Sequence, residues 1–348
     1  MNVTKALFGH VPDGEEVYRF TIENENGAVC SLLSYGATWQ SMLVPNKAGD
    51  LVDVVLGFDA LEGYTNQDWY IGATIGRVAN RIGHARFTLS GRAYTLFAND
   101  CGNCSHGGKI GFDRRNWKAK IEQDSVVFSL YSPDGEENFP GNLSAMVVYR
   151  LDENNALSIR YFAVSDQDTL CSMTNHAYFN LAGHDSGDVL NQRLMIDADA
   201  FTRIDTTILP TGEIVPVAGT PLDFRAGKPI GRDIASHAEK MDAALGYDHN
   251  FVLNHPQGGV ECVATAYDPA GGIAMDVCTD QPGIQLFTPL DLCALPGKGG
   301  ASYNSRAAFC LETQHFANAM EHPHFPSIVL RAGDIYTSET IYRFRTEV

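Results

Sequence analysis

The segment T-N-H-A-Y-F-N, Thr174 to Asn180, sets His176 among β-forming and aromatic residues, with Asn175 and Asn180 as polar company. An imidazole in such a place is either a satisfied, half-buried side chain, the commoner case for a lone histidine, or a group held rigidly for chemistry. Three further segments place charged or titratable groups among glycines, aromatics or apolar residues: G-R-V-A-N-R-I at Gly76 to Ile82, S-H-G-G-K-I-G-F-D at Ser105 to Asp113, and F-C-L-E-T-Q-H-F at Phe309 to Phe316. The last carries Glu312 between apolar neighbours. Four such islands in one chain point to a polar pocket.

A net charge of -17 and a pI near 4.9 oppose the basic footprint that nucleic-acid phosphates or anionic lipid would require, so a neutral or cationic ligand is expected. Arg77, Arg81, Lys109, Arg114 and Arg115 leave a small anion site, and hence a phosphorylated substrate, open. The N-terminal residues lack the apolar stretch of a signal peptide, and no run approaches the roughly 18 apolar residues of a membrane span. A cytoplasmic protein is expected, as a monomer or homodimer, with no membrane or nucleic-acid partner. The 8 cysteines are scattered, which predicts reduced, mostly buried thiols. Cys101, Cys104 and His106 form the one cluster with zinc-ligand character, but a second ligand pair is missing and no metal is expected. His322-Pro-His324 reads as a loop.

Period-two patterning must position these groups. Ala156 to Val164 puts Leu157, Ile159 and Tyr161 on one face, and Ser125 to Tyr131 and Ile341 to Arg345 read as strands. Ala85 to Leu96 reads as a hairpin, with Ser90-Gly91 as its turn, Phe87 opposite Tyr94 and Leu89 opposite Arg92. Breaks recur at Pro133 to Asn142, Gly183 to Asp188, His255 to Gly259 and Pro296 to Gly300. Long helical periodicities are scarce. With 348 residues and no linker or repeat, the chain is read as one large all-β sandwich domain, residues 1–348. Phosphate-binding Gly loops, the G-x-S-x-G elbow and H-E-x-x-H are absent, which removes the support for nucleotide-dependent, lipase-like and zincin chemistry.

Taken in order, these segments together with Y-G-A-T (Tyr35 to Thr38), V-L-G-F (Val55 to Phe58), F-P-G-N (Phe139 to Asn142), G-Y-D-H (Gly246 to His249) and P-G-I-Q (Pro282 to Gln285) cover nearly the whole chain. Singly they are weak; as an ordered set the sequence resembles the aldose 1-epimerases, or galactose mutarotases. The resemblance implies the large antiparallel galactose mutarotase-like sandwich, with a sugar in an open cleft, and interconversion of the α and β anomers of a free aldose without a cofactor. Removing a proton from the anomeric hydroxyl while protonating the ring oxygen requires one base and one acid.

By that resemblance Glu312 is the base and His176 the acid. A nearby carboxylate favours the charged imidazole, so the two are expected to hold each other ionised. His106 would sit near the ring oxygen, Asn80 and Arg81 would donate to sugar hydroxyls, and Asp248 and Gln285 would complete the binding set. Asn175 and Tyr178 would support His176, while Trp39 and Trp117 are either sugar platforms or, more commonly, core. A surface glutamate, a structural histidine, an ion-paired arginine and a turn-capping aspartate are the corresponding dull readings. Two segments depart from the family pattern. Pro289 and Leu290 stand where a Gly-Asn pair is usual, and Ala317-Asn318-Ala319 follows Phe316 where Pro-Asp-Ala is usual. The first leaves galactose as a default only. Mutarotases for glucose, pentoses, disaccharides or hexose 6-phosphates, a non-catalytic sugar-binding module, and a glycosidase using Glu312 with Asp248 are the competing readings.

Overall fold

The alternating segments pair into three large antiparallel sheets in the computed structural model, which describes residues 1–235, 246–254 and 258–347. A nine-stranded sheet runs, in spatial order, Lys118–Glu122, Ser125–Ser132, Leu143–Leu151, Ala156–Ser165, Ile335–Thr346, Ile273–Thr279, Glu261–Tyr267, Arg193–Ile196 and Lys228–Pro229. A five-stranded sheet is formed by Asn2–His10, Glu16–Glu23, Val29–Leu33, Thr38–Pro45 and Leu51–Asp53 in chain order. The second five-stranded sheet runs Pro210–Pro216, Ala198–Ile204, Asp248–Leu253, Gly283–Phe287 and Cys310–Gln314. Helix appears as one turn, Leu61–Thr65, and a few 3-10 segments. None of these is long and apolar enough to cross a membrane.

Period two explains the sandwich. Along Leu143–Leu151 and Ala156–Ser165 the residues Val147, Tyr149, Leu157, Ile159 and Tyr161 are buried, with Arg150 and Arg160 on the opposite, exposed face. The buried set meets Phe20, Leu32 and Trp39 of the first five-stranded sheet and Phe251, Ile284 and Leu311 of the second in one continuous core. Trp39 is fully buried, with ring centroids 5.5 Å from Phe179 and 5.3 Å from Tyr342, and Trp117 is also buried. Both tryptophans are therefore core and not sugar platforms.

The hairpin forms as expected: Phe87 pairs with Tyr94 and Leu89 with Arg92, and Ser90 and Gly91 both take positive φ. The three strand readings lie within observed strands. The break at His255 to Gly259 lies partly outside the described residues. One expectation is overturned: Cys262 and Cys278 form a disulfide and are not reduced thiols. Antiparallel register places these two residues opposite each other on Glu261–Tyr267 and Ile273–Thr279, which their separation in the chain conceals. Of the free cysteines, Cys30, Cys104, Cys171 and Cys310 are buried and Cys101 and Cys293 exposed.

Because Trp39 joins the first five-stranded sheet to the nine-stranded one, Trp39→Ala is expected to destabilise the protein by about 3–5 kcal/mol. Equilibrium denaturant unfolding measures this.

Candidate active site

Glu312 lies on Cys310–Gln314, a strand whose residues are all buried. Register sets Glu312 opposite Gln285 on Gly283–Phe287, and Gln285 opposite Asn250 on Asp248–Leu253. Asp248, two residues before Asn250, shares that face. Gln285 Nε2 donates to Asp248 Oδ1 at 2.6 Å. Three neighbouring strands thus deliver Asp248, Gln285 and Glu312 to one wall.

His176 follows the short strand Thr174–Asn175, and its segment is fastened beside the Glu312 strand. Thr174 Oγ1 donates to the Thr313 carbonyl at 2.9 Å, and the Phe179 and Phe309 backbones exchange hydrogen bonds. His176 Nε2 consequently lies 3.7 Å from Glu312 Oε1, with the two residues 5 % and 2 % exposed. That gap is too long for a hydrogen bond. His176 Nδ1 and Glu312 Oε2 have no hydrogen-bond partner among the described residues. Asn175 and Tyr178 brace the surroundings, Asn175 Nδ2 donating to the Gly72 carbonyl and the Tyr178 hydroxyl to the Trp69 carbonyl while the Tyr178 ring stacks on His176.

Asn80, Arg81 and His106 come together through a two-strand contact, Arg81–Ile82 against Cys104–Ser105. The His106 N–H donates to the Asn80 carbonyl at 3.1 Å, and the Asn80 N–H donates to His106 Nδ1 at 3.3 Å. An accepting Nδ1 on a neutral ring leaves the proton on Nε2. Gly107 makes the close approach possible: its φ is +91°, and a Cβ there would lie 2.1 Å from the Gly76 carbonyl oxygen. Arg81 spans Asp100, at 2.6 Å, and Asp248, at 3.8 Å. Asn318, the departure after Phe316, supports the same segment: its N–H donates to the Arg81 carbonyl and its Oδ1 accepts from the Gly83 N–H.

These residues line a cleft of about 660 Å³. It brings together Asn80, Arg81, His106, His176, Asp248 and Glu312, with Gln285 reaching it through Asp248. Pro289 and Leu290 are not among the lining residues, although Phe287 and Asp291 on either side are. Sequence reasoning missed Asp100, which orients Arg81, and Tyr70, whose ring lies beside both histidines. The aromatic pair Trp69-Tyr70, shortly before G-R-V-A-N-R-I, was the available signal for the latter. Of the five basic residues, Arg77 is buried and bonds the Ser132, Pro133, Pro140 and Gly141 carbonyls, Arg114 pairs with Asp68, and Arg115 pairs with Glu136.

Electrostatics correct the expectation that Glu312 and His176 hold each other ionised. Burial, followed by the negative charge of Asp248, pushes the Glu312 carboxyl well above its usual range, with Arg81 opposing. Burial likewise pushes His176 down to about 4. Desolvation outweighs pairing, so burial favours the protonated carboxyl and the neutral imidazole. His106 is also held well below its ordinary value, by burial first and then by His176 and Arg81. Burial works against the charge of Arg81, but Asp248 and Asp100 outweigh it and raise its affinity for its proton.

His106, His176 and Glu312 present ligand atoms within 4.8 Å of one another, the arrangement among the described residues that could hold a metal ion. The donor set fits poorly, because the Asn80 N–H occupies the His106 Nδ1 lone pair and a proton occupies Nε2. The Cys101, Cys104 and His106 cluster does not assemble either. Cys104 packs with Ile82 and Phe87 in an apolar cluster, while Cys101 is exposed. His322 and His324 donate to the Pro210 and Gly212 carbonyls and brace loops.

A family model described as aldose 1-epimerase matches residues 18–343. The chain is 40% identical to a galactose mutarotase of Bos taurus over 346 residues, 99% of each chain. It is 36% identical to an aldose 1-epimerase of Escherichia coli strain K12 over 350 residues, the whole of both. Among solved structures, an aldose epimerase homologue from C. elegans superposes with a TM-score of 0.87 at 33% identity, covering 94% of this chain and 98% of that one.

The raised carboxyl makes a stability prediction with a definite sign. A buried acid whose folded pKa exceeds its unfolded value contributes most below the unfolded pKa, and that contribution is lost as pH rises through the folded pKa. Glu312→Gln removes the loss, so its melting temperature relative to the parent should climb as pH rises above the ordinary carboxyl range. Paired thermal melts over rising pH check it; a difference that falls with pH would contradict the burial.

Proposed function

We propose, for a chain that belongs to the aldose 1-epimerase family and interconverts the anomers of free aldoses, that Glu312 is the base and His176 the acid of that reaction. The observation that carries this reading is the 3.7 Å approach of the two buried groups in the polar cleft. An anomeric carbon bears two oxygens, its hydroxyl and the ring oxygen, and groups this close can each address one.

In the opening step the Glu312 carboxylate takes the hydroxyl proton, the electrons left on that oxygen form the aldehyde carbonyl, and the bond from the anomeric carbon to the ring oxygen breaks. The ring oxygen takes the His176 proton. Rotation about the bond between the first two carbons presents the other carbonyl face. Protonated Glu312 then returns its proton to the carbonyl oxygen while neutral His176 accepts one from the hydroxyl that recloses the ring. No electrons are gained or lost and no cofactor enters the balance.

The pair holds one proton in both states. With the proton on Glu312 and His176 neutral, which burial favours, it is set to close the open chain; with the charges separated it is set to open the ring. Sugar hydroxyls and the Arg81 charge near Asp248 supply the polar surroundings that make the second arrangement accessible. His106, with its proton on Nε2, donates to the sugar. Asn80, Arg81, Asp248 and Gln285 fix the hydroxyls around it.

The substrate is a neutral aldohexose, and galactose comes first because similar proteins carry that name. Four carboxylates besides Glu312, Asp68, Asp100, Asp248 and Asp291, line the cleft against the cations Arg81, Lys109 and Arg114, which disfavours a sugar phosphate.

Polarimetry of freshly dissolved α-galactose and α-glucose tests the assignment. Glu312→Gln and His176→Asn should each lower kcat by about 10²- to 10⁴-fold. A parent-like rate in either would overturn that residue's role. The acid limb of kcat/KM, which reports the free enzyme, should fall near pH 4, where His176 in the neutral site gains a second proton for the pair. A limb at the ordinary imidazole value of about 6.5 would contradict it.

A further inference from the structure

Two phenol rings stack against the His176 imidazole. Tyr178 stacks against it with centroids 5.0 Å apart and planes inclined by 16°, and Tyr70 stacks at 6.0 Å and 20°. Tyr70 also approaches His106, at 4.6 Å and 48°. The two tyrosines are connected, because the Tyr178 hydroxyl donates to the carbonyl of Trp69, the residue before Tyr70, at 2.7 Å.

The backbone around Tyr70 is built for this contact. Tyr70 has a φ of 55°, a left-handed conformation that is uncommon for a bulky aromatic and persists only when its surroundings over-determine it. Four hydrogen bonds do so. The Ala73 N–H donates to the Tyr70 carbonyl, the Gly72 N–H to the His176 carbonyl, the His176 N–H to the Ala73 carbonyl, and Asn175 Nδ2 to the Gly72 carbonyl. The strained turn and the histidine are thereby one unit.

Building on the acid role of His176, we infer that Tyr70 is a positioning residue for the reaction, its ring closing an aromatic clamp that fixes the imidazole plane and favours the imidazolium. A π face attracts a cation placed over it, more strongly where water is excluded. Tyr178 and Tyr70 each present such a face to His176. The interaction is strongest when His176 carries the proton it delivers to the ring oxygen, so it acts on the reacting state more than on sugar binding. The hydroxyl of Tyr70 is not needed for this role.

Galactose mutarotation by Tyr70→Phe, Tyr70→Leu and Tyr70→Asn in the full chain tests the clamp, with melting temperature as a control on folding. Asparagine accepts a left-handed backbone readily, so Tyr70→Asn removes the ring without opposing the turn. Tyr70→Phe should stay within about twofold of the parent kcat, while the Leu and Asn variants should lose about tenfold in kcat with KM changed less than about threefold. In a His176→Asn background the same ring deletions should cost nothing further. Parent-like kcat in the Leu and Asn variants, a loss confined to KM, or Phe as damaging as Leu would overturn the clamp. A fully active His176→Asn enzyme would instead overturn the acid assignment, so the two failures are distinct.

Discussion

A carboxyl and an imidazole withdrawn from water onto one wall of a cleft compete with solvent for every charge they carry. At 3.7 Å Glu312 and His176 could in principle hold each other ionised, yet burial penalises both charged forms, and Asp248 adds to the penalty on the carboxylate. The balance favours the uncharged pair holding a single proton. In the proposed mechanism the remaining polar groups around the cleft tilt that balance once a sugar supplies hydroxyls to them.

Such a pair demands a stiff frame, because small displacements would open it to water or separate the groups. Stiffness comes from strand register on one side, where Asn250, Gln285 and Glu312 face one another on adjacent strands. On the other side it comes from loops tied by backbone hydrogen bonds. Arg77, from the same segment as Asn80 and Arg81, spends its buried guanidinium on loop carbonyls and holds the wall in place without touching the cleft. Asn80 fixes the tautomer of His106 through one N–H, and Asp100 aims Arg81. These contacts cost side-chain freedom in the folded state and leave less reorganisation for the reaction itself.

Much of this was legible in the residues. Alternation in Ala156–Ser165 and the Ser90-Gly91 turn follow from local rules, because each residue's environment is set by its immediate neighbours along the strand. Ordered motifs pointed to Glu312, His176, His106, Asn80, Arg81 and Asp248, which the fold brings to one cleft. Features set by register between distant strands were not legible. The Cys262–Cys278 disulfide depends on which residues face each other across two strands, and composition alone suggested free thiols. The pull of burial on Glu312 and His176 was not legible for a related reason: pairing can be guessed from residue types, whereas the depth of burial that outweighs it belongs to the assembled sheets. Tyr70 escaped notice because its part comes from a left-handed turn tied to the His176 backbone.

Nitrogen-15 NMR of the His176 imidazole at pH 7, first in the free protein and then with a 1-deoxy aldose that fills the cleft without opening, most directly interrogates the shared proton. A neutral imidazole in the free protein, with a shift toward imidazolium in the complex, is the predicted result. An imidazolium already present in the free protein and titrating near its ordinary value would contradict a pair whose proton is placed by burial.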